Sequence, residues 1–178
     1  MKSSAKKPTG KKLTWVLVVM ATVAAVAGTQ LPQRFFISLT PSIKYRLLWL
    51  NSDVENTTTG DYVVFKLNKK QLAGLPIPIE LAEDQDGIIN AVKRIGCDEG
   101  QILTRKGKNG RDFYCNDEYL GQAKERSRKG DFLAPAQLGG VIPHGKAFMS
   151  GDSKDSYDSR YFGFVDKKTF VYRATGIF

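Results

Sequence analysis

The sequence predicts a mostly β fold, in which twisted antiparallel sheets form a partly barrel-like domain behind one N-terminal transmembrane helix. Residues 13–31 form an uncharged apolar run. After that run, short β-rich segments alternate with turn residues, as where Gly60-Asp61 precedes the segment 62–67. Helical periodicity is weak in this part, and only 42–50 places apolar residues on one helical face. The segment 68–87 contains two prolines and several acidic residues, and we interpret it as a loop or lid.

The apolar run has about the length, roughly 20 residues, that a helix needs to cross a bilayer. Five lysines precede it and no acidic residue does, which keeps the N-terminus in the cytoplasm. We therefore expect a cytoplasmic basic tail at 1–12, a transmembrane anchor at 13–31, and a translocated domain at 32–178. A cleaved signal is the alternative, because Ala25-Val26-Ala27 resembles a cleavage site, but the length of the run favours an anchor.

The charge distribution argues against a nucleic-acid partner. The formal net charge is +9, yet five of the 27 basic residues lie before the apolar run. The remaining 22 basic residues face 18 acidic ones, a net of +4, and they form no run long enough to follow a phosphate backbone.

The two cysteines, Cys97 and Cys115, are expected to form a disulfide, because a translocated domain lies in an oxidising compartment. Two thiolates alone do not complete a tetrahedral zinc shell, so we expect no metal and no cofactor. A catalytic cysteine is the alternative, but neither residue has a base or a helix N-terminus beside it in the sequence.

Ser38 and Lys93 are the candidate catalytic residues. The single histidine, His144, lies between Pro143 and Gly145 and is interpreted as a turn residue, so hydrolytic chemistry would need a base other than imidazole. A serine activated by an uncharged lysine fits that constraint. Lysine has a pKa of about 10.4 in water, and burial among apolar groups lowers it by up to about 3–5 units. Apolar residues precede both Ser38 and Lys93; the alternative for Lys93 is an ordinary solvated lysine.

Four blocks of sequence resemble, in order, the conserved boxes of the type I signal peptidase family. The segment 38–42 (Ser-Leu-Thr-Pro-Ser) resembles the box that carries the nucleophile, and Gly60-Asp61-Tyr62-Val63-Val64 resembles a Gly-Asp-x-Val box. Lys93-Arg94 resembles the start of the general-base box, and 151–165 closely resembles the last box. The short chain, the sequence of 38–42 and the cysteine pair favour the TraF-like branch of the family, which is associated with conjugative transfer.

The resemblance implies a membrane-anchored serine endopeptidase with Ser38 as nucleophile and Lys93 as general base. It also implies a bacterial inner-membrane protein whose catalytic domain, 32–178, lies on the periplasmic side. Its substrate would be a translocated protein precursor cleaved after a small residue, and in the TraF-like branch this is a pilin. A general signal peptidase for exported proteins is one alternative. A non-catalytic membrane-anchored factor of pilus assembly is another, although both catalytic residues are present.

The resemblance also suggests supporting residues. Asp158 and Arg160 would form an ion pair, and Ser156 would hydrogen-bond the base lysine, with Asp155 as the competing candidate for that support. Loop capping is the alternative role of these residues. Phe36 occupies a position where many members carry an oxyanion-hole hydroxyl, which leaves the backbone N–H of Ser38 as a donor.

The substrate is expected to lie extended beside the segments 34–37 and 88–92, held by main-chain hydrogen bonds. The residues predicted to contact it are Phe36, Ile37, Ile89 and Ala91.

Overall fold

The structure is a computed structural model that describes residues 10–30, 34–38, 40–68 and 87–178. The chain divides into a unit that ends at Phe35 and a unit that runs from Phe36 to Phe178. In the first unit, helix α1 (Gly10–Gln30) contains most of the apolar run. Among the described residues, no helix is both long and apolar enough to cross a membrane, which differs from the anchor expected at 13–31. Residues 1–9 of the predicted basic tail lie outside the described residues, as do 69–86 of the predicted lid.

In the described part of the second unit, the regular structure consists mainly of short strands, as the sequence predicts, with short 3-10 turns and one four-residue α-helix, α2 (Ser159–Phe162). The strands are β1 (Phe35–Ile37), β2 (Leu47–Asn51), β3 (Tyr62–Asn68), β4 (Ile88–Cys97), β5 (Ile102–Lys106), β6 (Asp112–Cys115), β7 (Glu118–Gln122), β8 (Gly140–Val141), β9 (Lys146–Ser150), β10 (Val165–Asp166) and β11 (Phe170–Gly176).

The strands among the described residues form two sheets, and neither of these closes into a barrel. The larger sheet has the order β1-β2-β11-β3-β4-β9-β10, and the smaller one has the order β7-β6-β5-β8. The strand pairs whose register is described are all antiparallel. The prediction of a partly barrel-like domain is wrong, because β1 and β10 remain the two edges of the larger sheet and are not joined to each other.

Side-chain alternation along the central strands divides the core between the two faces of the larger sheet. One face buries Val63 and Phe65 of β3 with Ile89 and Ile95 of β4. The other buries Val64 and Val92 of the same strands against β2 and β11, at Leu48, Leu50 and Ala174. Burial of both faces explains why β3 is nearly continuously apolar.

A third cluster joins the smaller sheet to the larger one. It contains Leu103, Phe113 and Phe148, with the rings of Phe113 and Phe148 stacked at 5.3 Å between centroids. Cys97 and Cys115 lie in this cluster and form a disulfide across a Cα–Cα distance of 5.5 Å. The bridge ties the end of β4 to the hairpin of β5 and β6, so it supports the strand that carries Lys93.

Candidate active site

Lys93 lies in the middle of β4, opposite Val63 of β3. By the alternation of strand residues it shares a face with Ala91 and Ile95, and that face is the apolar one that buries Ile95 and Val63. Its side chain is only 7% exposed. The lysine is therefore held among apolar neighbours by the strand itself.

Burial is the largest influence on the protonation of Lys93 and lowers its pKa from the ordinary value to about 8. The negative charges of Asp158 and Asp152 oppose this shift, and the positive charge of Arg160 adds to it. At pH 7 a lysine with this pKa is neutral in roughly one molecule in eleven, against roughly one in 2,500 at a pKa of about 10.4. The site thus supplies a usable fraction of uncharged amine near neutral pH.

Beside Lys93, β9 ends and the chain turns into the loop 151–158. Arg94 pairs with Ser150, the last residue of β9, and continuing this register by one residue puts Gly151 opposite Lys93. A Cβ added to Gly151 would collide with the Ser156 side chain and lie 2.6 Å from the carbonyl oxygen of Ser42. Only glycine fits here, because the 38–42 segment and the 151–158 loop both close onto this point.

Asp158 and Arg160 form a fully buried ion pair that fixes this loop. The Nε and Nη2 atoms of Arg160 each donate to an oxygen of Asp158 at 2.8 Å, and the two side chains are 0–2% exposed. Asp158 also accepts from the backbone N–H groups of Gly151 and Arg160, and it caps α2. Arg160 donates further to the carbonyl oxygens of Gln122 and Ser156, so the pair ties the loop to β7.

The 38–42 segment, which holds the candidate nucleophile Ser38, meets the same loop. Ser38 is 5% exposed, and its Oγ donates to the carbonyl oxygen of Thr40 at 3.0 Å. The hydroxyls of Thr40 and Ser42 lie 3.2 Å apart, and the carbonyl oxygen of Ser42 accepts from the N–H of Ser153. Ser38 is thus connected through Thr40 and Ser42 to the loop that lies opposite Lys93.

The backbone N–H of Ser38 is already bonded in this structure. It donates to the carbonyl oxygen of Arg46 at 2.9 Å, and Phe36 packs against the apolar cluster on the β2 side of the sheet. The expected oxyanion donor is therefore engaged with the backbone in this conformation. Loading a substrate carbonyl there would require this bond to open.

Ser156 and Asp155 occupy different environments. Ser156 is 3% exposed, and its Oγ has no hydrogen-bond partner among the described residues. Asp155 forms ion pairs with Lys124 and Arg128 instead. Hydrogen bonds from Lys124 first and Arg128 second lower the pKa of Asp155 to about 2. Of the two, Ser156 is the group with unused hydrogen-bonding capacity beside Gly151.

The residues predicted to contact substrate are only partly accessible. Ile37 is 65% exposed, and Phe36 and Ala91 are half-buried. Ile89 is 1% exposed and its side chain lies within the core. In the described part of the chain, β4 pairs with β9 only from Arg94 to Cys97, and residues 89–92 pair on one side only, with β3.

His144 takes no part in this arrangement. Its imidazole is 98% exposed, and its Nδ1 lies 2.8 Å from an Oε2 atom of Glu99.

Comparisons with known proteins identify the family of this chain. The family model described as signal peptidase, peptidase S26, matches residues 10–178. The chain belongs to the peptidase S26 signal peptidase family. Membership implies a serine peptidase of the signal peptidase type, which acts on protein precursors.

Among solved structures, one match of this signal peptidase chain is a signal peptidase I from Enterococcus faecalis V583, at 20% identity and a TM-score of 0.40. The match covers 68% of this chain and 98% of that one. A search of curated proteins finds no match.

Asp152, a carboxylate close to the candidate residues, was not predicted from the sequence. Asp152 accepts hydrogen bonds from the N–H of Lys44 and from the hydroxyl of Tyr62, and it lies 3.6 Å from Nε of Arg94. All of these residues except Lys44 stand inside the boxes quoted above, beside the catalytic candidates. Their position in those boxes could have indicated that they lie near the candidate site.

Proposed function

We propose that this signal peptidase uses Ser38 as its nucleophile and Lys93 as its general base. The observation that supports this most strongly is the buried position of Lys93, where the lowered pKa suits proton acceptance near neutral pH. The network that joins Ser38 to the loop opposite Lys93 is consistent with their working together.

In the proposed reaction, the lone pair of the Lys93 amine takes the proton of the Ser38 hydroxyl as Oγ attacks the scissile carbonyl carbon. The peptide C–N bond then breaks, and Lys93 returns the proton to the leaving amine, which leaves an acyl ester on Ser38. Water attacks that ester while Lys93 accepts a proton from it; the bond between the acyl carbon and Oγ then breaks, Lys93 passes the proton to Oγ, and the acyl group leaves as a carboxylic acid. Ser38 must first leave its bond to the carbonyl oxygen of Thr40.

Ser156 is proposed to position the Lys93 amine. Its hydroxyl is buried beside Gly151 and has no partner among the described residues, which is costly for a buried polar atom. A hydrogen bond to the neutral lysine would satisfy it and orient the lone pair toward Ser38. Asp155 is a poorer candidate because two cations already bind it.

The substrate is proposed to be a translocated precursor that binds as an extended strand along residues 89–92 and is cleaved after a small residue. The one-sided pairing of that segment supports main-chain recognition. We place the reaction on the outer side of a bacterial inner membrane, since a disulfide forms in oxidising compartments. The sequence of residues 38–42, Ser-Leu-Thr-Pro-Ser, favours pilin maturation in conjugative transfer.

Mass spectrometry of precursor cleavage tests this proposal. A candidate pilin precursor and a general exported precursor are incubated separately with wild type, Ser38→Ala, Lys93→Ala and Ser156→Ala. We expect the first two variants to lose at least about 10³-fold in rate. Ser156→Ala should lose about 10–100-fold in kcat, as expected for impaired proton transfer, with KM unchanged.

The matched control is Ser52→Ala, which changes an exposed serine and should cleave like wild type. Cleavage of the pilin precursor alone supports the dedicated role, whereas cleavage of both precursors indicates a general signal peptidase. Undiminished cleavage by Ser38→Ala would refute the catalytic assignment and favour a non-catalytic assembly factor.

A further inference from the structure

Asp152 lies where three segments of the site meet. Its Oδ2 accepts from the backbone N–H of Lys44 at 2.8 Å and from the hydroxyl of Tyr62 at 2.7 Å. Its Oδ1 lies 3.6 Å from Nε of Arg94. Lys44 follows the nucleophile segment, Tyr62 begins β3, and Arg94 is the neighbour of Lys93 on β4. One carboxylate therefore contacts the segment of the nucleophile and both strands around the base.

These contacts lie on the face of the larger sheet opposite to Lys93. Tyr62 and Arg94 are directly paired across β3 and β4, and strand alternation places them on the other face from Lys93 and Val63. The ring of Tyr62 meets the ring of Tyr45 edge to face at 5.5 Å. Tyr62 is thus packed against the segment that follows Ser38 as well as bonded to Asp152.

We propose that Asp152, held by Tyr62, is a positioning residue that fastens the segment carrying Ser38 to the strand carrying Lys93. This rests on the proposed function, because fastening matters for catalysis only if these two residues react together. A charged acceptor makes its hydrogen bonds stronger than neutral ones, and the bond from the N–H of Lys44 restrains the segment between β1 and β2, near one edge of the sheet. We call the group formed by Asp152, Tyr62, Arg94 and the N–H of Lys44 the clamp.

The clamp also acts on Lys93 through charge. The groups that influence the pKa of Lys93 are Asp158 and Asp152, which raise it, and Arg160, which lowers it. Loss of the negative charge at Asp152 should therefore make Lys93 easier to deprotonate and move the acidic limb of the kcat profile to lower pH. Loss of the hydrogen bonds alone should leave that limb in place.

Three variants separate these two effects. Asp152→Ala removes the hydrogen bonds and the charge, Asp152→Asn keeps an acceptor oxygen but removes the charge, and Tyr62→Phe removes one hydrogen bond and keeps the charge. Two properties of the full chain are measured for each variant. One is kcat and KM on the precursor as a function of pH, and the other is backbone hydrogen exchange in segment 40–46 by mass spectrometry.

We expect Tyr62→Phe to lower kcat and to speed exchange in 40–46, each on the order of tenfold, with KM and the acidic limb unchanged. Asp152→Ala should lower kcat on the order of a hundredfold, and Asp152→Asn should recover part of that loss. Both Asp152 variants should shift the limb to lower pH. Tyr114→Phe, in the smaller sheet, is the matched control and should change neither property.

Unchanged exchange in 40–46 in Asp152→Ala would overturn the clamp, whatever the activity. Faster exchange with an unchanged kcat would overturn its role in positioning. If the wild type cleaves no precursor, the proposed function fails, and the exchange measurement still determines whether Asp152 fastens this segment.

Discussion

Replacing Lys93 by methionine is expected to abolish proteolysis and, at pH 7, to raise the free energy of unfolding by about 3 kcal/mol. Methionine fills a similar volume in the apolar surroundings of β4 without carrying a proton. Lys93 is protonated at pH 7 in most folded molecules, and its burial makes that charge unfavourable. An inactive variant that is more stable than the wild type is the result expected when the native protein keeps a charged lysine in an unfavourable apolar environment.

The pH dependence of this gain follows from proton binding. The folded pKa of Lys93, about 8, lies below the ordinary value of 10.5 that applies to the unfolded chain. Below pH 8 both states carry the proton, and the full penalty is present in the wild type. Between about pH 8 and 10.5 the unfolded state binds more protons, so wild-type stability rises with pH and the difference from the variant disappears.

Denaturant unfolding of both proteins at pH 7 and pH 10, with the disulfide intact, measures this difference. Lys168→Met is the matched control, because Lys168 is exposed, and its stability should stay within about 0.5 kcal/mol of the wild type. Equal stabilities of Lys93→Met and the wild type at pH 7 would contradict the account.

Replacing Asp158 by asparagine is expected to lower the free energy of unfolding by about 3–5 kcal/mol. The change removes the counter-charge of Arg160, whose side chain is 2% exposed, and leaves a buried guanidinium without its anion. The same carboxylate also accepts from the N–H of Gly151, so the loop beside Lys93 should loosen and cleavage should fall with stability.

Two further variants test the cause of that loss. Asp117→Asn removes the acidic partner of an exposed ion pair with Lys106 and should change stability far less. In Asp158→Asn combined with Arg160→Met, stability should partly return, because no unpaired charge remains. Equal losses in Asp158→Asn and Asp117→Asn, measured by denaturant unfolding, would show that the buried pair has no special role.

Much of the strand pattern followed from the sequence, because turn residues and hydrophobic runs are local signals. The short segments that turn residues separate do form paired strands: β5 and β6, on either side of the turn at 107–111, are antiparallel with Leu103 paired to Cys115. The helical periodicity of the apolar residues at 42–50 does not correspond to a helix in the structure. Residues 47–51 form β2, where Leu48 and Leu50 are buried by strand alternation, and pairing with β11 overrides a weak local preference.

The burial of Lys93 was expected for an incomplete reason. Apolar residues precede Lys93 in the sequence, yet Val92, directly before it, packs on the opposite face of the sheet. The residues that share its face are Ala91, Ile95 and the cross-strand neighbour Val63. In a strand, the side chain at position i−1 points to the opposite face of the sheet. Only the pairing of β3 with β4 therefore shows which residues surround the lysine.

Contacts between distant segments were beyond reach of the sequence. The closure of the 38–42 segment onto Gly151, the pairing of Asp155 with Lys124 and Arg128, and the bond from the N–H of Ser38 to Arg46 all depend on the folded chain. The open edges of the larger sheet depend on it as well, since closure into a barrel is set by strand order and stagger.

The most direct measurement is a titration of the Lys93 amine by nitrogen-detected NMR in the folded enzyme, with Lys93→Met used to assign the signal. The account predicts a midpoint near pH 8, well separated from the exposed lysines. A midpoint at about 10.4, the value of a solvated lysine, would contradict it, because the amine would then be charged at the pH at which it must accept a proton.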